Sequence, residues 1–263
     1  MTHGFAALLM YTAPDRLRAA NEAWLTRIVQ RLDIARDLTE HADLMPLWLS
    51  PNLLLSQTCG YPLMTALRGK VRLIGRPDYR LAHSADGTHC SLLLAREGDP
   101  RSELEQFRGS HGLVNNEESN SGMNLLRHRL APLQRDGRFF GAVSLTGGHR
   151  ESMRWLREGR GDLAAIDSVT YDYLAQAAST EIDGLRVIGR SVISPTLPYI
   201  GAVSLDAADA ERIRHAMNQA LEDLPEVAAT LAIRSVLPAS EEDYQVLLDY
   251  QREAEELGFP RLI

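Results

Sequence analysis

The chain has 263 residues, 44% of them hydrophobic and 24% charged, with a net charge of −7. That acidic balance weighs against a nucleic-acid binder working through a broad basic surface, and no apolar run approaches the roughly 20 residues of a membrane span, so neither nucleic acid nor direct membrane insertion is expected. The length suits two lobes of ordinary domain size.

Cys59 and Cys90 are too few for a disulfide scaffold, and their spacing fits no zinc pattern. Two buried free thiols are the plainer reading, with a disulfide left open. The N-terminal stretch has no basic start, a short apolar run and no small-residue cleavage site. The expectation is a cytoplasmic chain, or one whose leader this sequence does not include.

In chain order, residues 5–10 form a continuous apolar run, suited to a strand buried on both faces of a parallel sheet. Pro14 and Asp15 carry helix-start chemistry. Leu17, Ala20, Trp24, Ile28 and Leu32 then recur at helical spacing to about residue 34. Residues 44–49 read as a second strand, limited by Pro46. Residues 53–55 are an apolar strand that stops at Ser56-Gln57-Thr58, before a helix from about Tyr61 to Leu67. Further strands are expected at 71–76, 89–95, 112–115, 139–145, 162–167 and 185–189, with irregular chain at 77–88. Helices are expected from Ser102 (short), over 121–130, after His149, and after Ser168. The 194–199 segment with two prolines is irregular, 200–203 is apolar, and a helix follows from 206 to about 224. Ser240 with Asp243 fits a capping box loosely, and the last helix stops at Gly258.

Alternating strands and helices predict an α/β protein. The expected division is a first lobe of residues 1–93 plus 189–263 and an inserted second lobe of 94–188, each a mixed, mostly parallel sheet flanked by helices, with a ligand cleft between the lobes. Two passages of the chain between lobes would make a hinge.

Polar residues cluster where strands end: Tyr11-Thr12, Ser56-Gln57-Thr58, Ser119-Asn120-Ser121-Gly122, Thr146-Gly147-Gly148-His149 and Asp167-Ser168. In open α/β sheets, ligands sit outside the carboxyl ends of strands. The 119–122 turn opens a helix, whose first N–H groups and positive dipole end suit an anion, while Gly122 allows close approach. The plainer reading is an ordinary N-cap at Ser119 or Ser121. One helix end contributes roughly 0.3–1 kcal/mol, whereas micromolar binding needs about 8 kcal/mol. Several charge-assisted hydrogen bonds are therefore required. No Gly-x-Ser-x-Gly elbow, His-Glu-x-x-His, P-loop or Gly-x-Gly-x-x-Gly occurs, and the histidines show no metal-ligand spacing. No catalytic residue, metal or cofactor is expected.

The segments Leu55-Ser-Gln-Thr-Cys-Gly-Tyr-Pro-Leu63, Val114-Asn-Asn-Glu-Glu-Ser-Asn-Ser-Gly-Met-Asn124, Gly148-His-Arg-Glu-Ser152, Gly161-Asp-Leu-Ala-Ala-Ile-Asp-Ser168 and Pro195-Thr-Leu-Pro-Tyr199 stand in one order over most of the chain. In this the sequence resembles the phosphate/phosphite/phosphonate substrate-binding proteins of ABC transporters, which have the type II periplasmic-binding-protein fold. The resemblance implies a solute-binding protein whose lobes close on a small oxyanion for ABC-type uptake, with a membrane permease as partner and a periplasmic location. It maps the oxyanion turn to Ser119, Asn120, Ser121 and Gly122, a histidine to His149, a carboxylate to Asp167, and aromatic lining positions to Tyr11 and Tyr61. Gln57 and Thr58 join this ligand-binding set from the strand end in the first lobe. Asn120 interrupts the run of hydroxyls that well-studied phosphonate binders carry. The alternatives are an enzyme, or an intracellular sensor, binding a small anionic metabolite on the same scaffold.

Overall fold

The computed structural model describes residues 3–37 and 43–262. The strands are β1 (His3–Ala7), β2 (Ala35–Asp37), β3 (Leu53–Gln57), β4 (Val71–Tyr79), β5 (Thr88–His89), β6 (Ser91–Arg96), β7 (His111–Val114), β8 (Ala142–Leu145), β9 (Leu163–Asp167), β10 (Leu185–Arg190), β11 (Ser194–Pro195), β12 (Tyr199–Ala202) and β13 (Ile233–Leu237). The α-helices are α1 (Asp15–Leu32), α2 (Leu44–Trp48), α3 (Gly60–Met64), α4 (Leu125–Leu130), α5 (His149–Arg157), α6 (Ser168–Gln176), α7 (Ala207–Asp223), α8 (Pro225–Thr230) and α9 (Glu241–Glu256).

The chain folds into two compact units. Unit 1 is Met1–Thr88 with Pro195–Tyr244, and unit 2 is His89–Ser194 with Gln245–Ile263. Both passages between units come elsewhere than expected, at 88/89 and 194/195 instead of 93/94 and 188/189. A third passage lies inside α9, so the C-terminal residues belong to unit 2 and not to the first lobe. The reason is burial: Ala254, Phe259 and Leu262 enter the apolar core of unit 2 beside Leu126, Leu130 and Phe139.

In unit 1 the sheet order is β13-β4-β12-β3-β1-β2. β1 pairs in parallel with β2 and β3, while β12 and β13 pair antiparallel with their neighbours. The expected face of α1 is buried, with Leu17, Trp24 and Ile28 fully enclosed, each such side chain contributing about 1.5–3 kcal/mol. Trp24 Nε1 donates to the Met217 carbonyl at 3.1 Å, fastening α1 to α7.

The expected strand over 44–49 is the helix α2, and the second strand is the three-residue β2 instead. Pro46 sits in the first turn of α2, where its missing N–H costs nothing. The expected strand at 71–76 runs on to Tyr79 through Pro77. That is possible because β12 pairs with Val71 to Gly75 and β13 with Arg76 to Tyr79, leaving Pro77 with one neighbour. Gly75 marks the change of partner: a Cβ there would meet the Leu237 carbonyl oxygen at 2.6 Å. The short α8 and β13 escaped the sequence reading.

In unit 2 the sheet order is β10-β6-β9-β7-β8. β7 pairs in parallel with β8 and β9, and β6 antiparallel with β9 and β10. Both sheet faces are covered. Leu93, Ala95, Val114 and Ala165 enter one core, and Leu92, Leu94, Leu113, Ala164 and Ile166 enter the other, which is why these strands read as unbroken apolar runs. The expected strand at 139–145 starts only at Ala142 and is an edge. Phe139 and Phe140 are buried before it, stacked edge to face at 5.1 Å.

Candidate functional site

Unit 2 gathers polar side chains where β7, β8 and β9 end. After β7 the chain makes a loop and enters a π-turn, Asn120–Asn124, that leads into α4. Ser119 is the N-cap, its Oγ accepting from Gly122 N at 3.0 Å, so the capping expected from sequence is present. Asn124 N reaches back to the Ser119 carbonyl, and this wider turn presents Ser121 towards the start of α5. There the Ser121 Oγ lies 2.9 Å from His149 Nε2.

Asn115, the residue after β7, completes the group. Its amide nitrogen is 3.4 Å from His149 Nε2. A Cβ on Gly122 would fall 1.8 Å from Asn115 Oδ1 and 3.2 Å from His149 Cε1, so any larger residue there must displace the Asn115 side chain. With Asn115 donating, Nε2 is the acceptor and the ring proton sits on Nδ1. Nδ1 is shielded from water and meets no partner in good hydrogen-bond geometry, the Ala165 backbone being the group that interacts with the ring as a weak hydrogen-bond partner. Burial pushes the His149 imidazole below its ordinary value, opposed by the Asp167 carboxylate. The residue as a whole is only half-buried, because its exposure comes from elsewhere than Nδ1.

Asp167 ends β9 and caps α6. Oδ1 accepts from Val169 N at 3.4 Å and faces His89 Nδ1 at 2.8 Å. Oδ2 accepts from Thr170 N at 3.2 Å and Thr170 Oγ1 at 3.1 Å. Four donors already meet this carboxylate. Asn120 is similarly committed: its amide donates to Ser194 Oγ at 2.9 Å and its Oδ1 accepts from Asn124 at 3.3 Å. Asn124 also donates to the Leu247 carbonyl and accepts from Arg127, which ties the turn to the part of α9 that belongs to unit 2.

Sequence reasoning missed His89, Asn115 and Asn124. His89 was read only as the start of a strand; it ends β5, two residues before β6 begins at Ser91. Ser91 Oγ donates to the Ser121 carbonyl at 2.8 Å.

The remaining expected site residues lie in unit 1. Tyr11 follows β1 and packs edge to face on Tyr79 at 6.2 Å. The Gln57 amide donates to the Leu197 carbonyl at 3.1 Å, and the Gln57 carbonyl accepts from Trp48 Nε1. Thr58 is fully buried, its N–H bonded to the Pro198 carbonyl. Tyr61 is half-buried at the start of α3, its carbonyl accepting from Thr65. Cys59 and Cys90 are not joined by a disulfide, and burial pushes the Cys90 thiol up. Among the described residues, no His, Cys, Asp or Glu group gathers as a metal-ligand set, and no helix is long and apolar enough to cross a membrane.

Two mixed sheets flanked by helices, with polar groups gathered at strand ends, make this a type II periplasmic binding protein by fold. Solved structures agree in fold. The binding-protein component of an ABC phosphonate transporter from Pseudomonas aeruginosa superposes with a TM-score of 0.80 at 15% identity, covering 97% of this chain and 87% of that one. PhnD1 from Prochlorococcus marinus, in complex with methylphosphonate, gives 0.78 at 11% identity over 97% and 99%. A Xanthomonas citri protein solved with bound chloride gives 0.72 at 15% identity over 98% and 99%. No curated protein matches the chain by sequence. The model of the family described as ABC transporter, phosphonate, periplasmic substrate-binding protein matches residues 53–244. The chain belongs to that family, and its role is that of a solute-binding protein.

Proposed function

We propose that this protein binds a small tetrahedral oxyanion of the phosphonate class through the 119–122 turn and His149, and delivers it to an ABC-type permease from the periplasm. The observation that carries the reading is the Ser121–His149 contact at 2.9 Å, made where two helices start. The Ser121 hydroxyl and the N–H groups at the start of α5 are the donors that such binding needs, and His149, accepting at Nε2, positions the hydroxyl. Asn120 and Asp167 hold this arrangement in place from within the fold.

Calorimetry and thermal shift with methylphosphonate, phosphate, phosphite, sulfate and small carboxylates test the proposal. A ligand at a hundred times its dissociation constant stabilises the fold by about 2.7 kcal/mol. A panel in which no oxyanion raises the melting temperature sinks it. Fractionation of cells producing the full-length protein tests the compartment.

The same 2.9 Å contact favours one second reading, a serine nucleophile with a histidine base. Against it, His149 Nδ1 has no carboxylate to orient the ring. Phosphorus NMR of ligand held with the protein separates the two: unchanged ligand supports binding alone, and turnover that is lost in Ser121→Ala supports the enzyme.

A further inference from the structure

His89 stands out among the polar groups of unit 2. Its side chain is 1% exposed, its Nδ1 faces Asp167 Oδ1 at 2.8 Å, and its Nε2 is buried with no hydrogen-bond partner among the described residues. Leaving a buried ring nitrogen unsatisfied is unfavourable, and the fold does so here and not at Asp167. The carboxylate, with four donors, has no remaining capacity for a ligand. Because Asp167 can only accept when ionised, the His89 proton sits on Nδ1 and Nε2 carries a lone pair. The Asp167 that His89 faces is paired in register with Ser91, and Ser91 Oγ donates to the Ser121 carbonyl, which links the ring to the anion turn. His149 also feels the charges of both Asp167 and His89.

The geometry points to His89, backed by Asp167, as the group that couples ligand binding to proton uptake and lets one site accept an oxyanion in either ionisation state. A singly protonated ligand donates its O–H to the Nε2 lone pair, and no proton moves. A dianion has no such hydrogen. One proton then passes from the buffer to Nε2, and the imidazolium donates Nε2–H to the ligand oxygen, with Asp167 stabilising the new charge across Nδ1–H. The titratable groups around it within unit 2 are Asp167, met by four hydrogen-bonding groups; His149, which burial pushes below its ordinary value; and the Cys90 thiol, which burial pushes up and which lies near Asp172 and Arg190. None of these supplies the missing donor. This inference rests on the oxyanion-binding reading above.

The test is calorimetry of methylphosphonate in buffers of different ionisation enthalpy, with the full chain. Well above the second ionisation of the probe, wild type takes up about one proton per ligand bound. Well below it, uptake vanishes. His89→Gln binds the dianion about tenfold more weakly than wild type and without buffer dependence at either pH. Nitrogen NMR of the wild-type imidazoles gives the same answer without a variant, through a protonated His89 Nε2 signal appearing only with the dianion. Wild-type binding heat independent of buffer, or uptake retained in folded His89→Gln, overturns the inference while leaving anion binding intact. Absence of binding heat with every oxyanion overturns the binding reading, and this inference with it.

Discussion

Two strand ends that look alike in sequence have opposite fates. Ser56-Gln57-Thr58 in unit 1 and Ser119-Asn120-Ser121 in unit 2 each follow a buried strand and precede a helix. In unit 1 the polar groups are spent on the chain itself: Gln57 holds the Leu197 carbonyl, Thr58 N holds the Pro198 carbonyl, and Trp48 closes on Gln57. Of the three side chains at this strand end, the Ser56 hydroxyl alone is buried without a partner among the described residues. In unit 2 the Ser121 hydroxyl meets an imidazole, and His89 Nε2, His149 Nδ1 and Asn115 Oδ1 lack partners. A polar strand end is a candidate site where the fold leaves hydrogen-bonding capacity over, not where polar residues are most numerous.

The contrast can be broken by substitution. The largest effect is expected at Gly122→Ala, where the new methyl strikes Asn115 at 1.8 Å. Overpacking of this kind costs about 1–3 kcal/mol, and the turn that presents Ser121 is displaced. Chemical denaturation and calorimetry should show lower stability and lost anion binding together.

Gln57→Ala should separate the two properties. It removes the donor to a buried carbonyl, costing about 1–3 kcal/mol of stability, while anion affinity stays within about twofold. A large affinity loss at unchanged stability would put Gln57 in contact with the ligand and erase the contrast.

Ser121→Ala should do the reverse. Affinity for methylphosphonate falls by about 1.5–3 kcal/mol, the value of a hydrogen bond to a charged group, with the unliganded melting temperature nearly unchanged. Equal affinity returns the turn to being a cap.

Acid sensitivity gives smaller effects. Burial lowers the folded-state value of His149 from the ordinary 6.5, so the unfolded chain binds more protons just below that pH. Its contribution is present above about 6.5 and is lost as pH falls. Melting temperatures between neutral and mildly acidic pH should drop more in wild type than in His149→Gln.

The smallest effect belongs to Asp99, whose carboxyl the Arg101 guanidinium holds at about 2, below the ordinary 3.8. Its stabilisation is complete above about 3.8 and disappears as pH falls towards about 2; screening around the partly exposed Arg101 limits it to about 1 kcal/mol. Asp99→Asn should flatten the acid limb of the stability curve and leave anion affinity alone. Any change in affinity would mean that the two ends of the unit 2 sheet are coupled.

Much of this was legible in the residues. The α1 face announced itself through Leu17, Trp24 and Ile28, because an amphipathic helix needs one apolar stripe. The strands of unit 2 announced themselves as unbroken apolar runs, because both sheet faces are covered. The 119–122 turn and His149 could be singled out since small polar residues with glycine before a helix are local chemistry. What failed was non-local. Residues 44–49 and Pro77 take their state from which neighbours pair with them, and the C-terminal residues follow the core that buries Phe259.

By itself, then, the sequence determined the α/β class, the family and the turn with its histidine, since each depends on contiguous residues and their spacing. Only the tertiary structure decided which polar groups are spent and which are left over. It shows Asp167 saturated, Asn120 turned inward, and His89 as a buried nitrogen without a partner. Hydrogen-bond satisfaction is a property of the whole packed neighbourhood, and the partners that settle it here stand tens of residues apart in the chain.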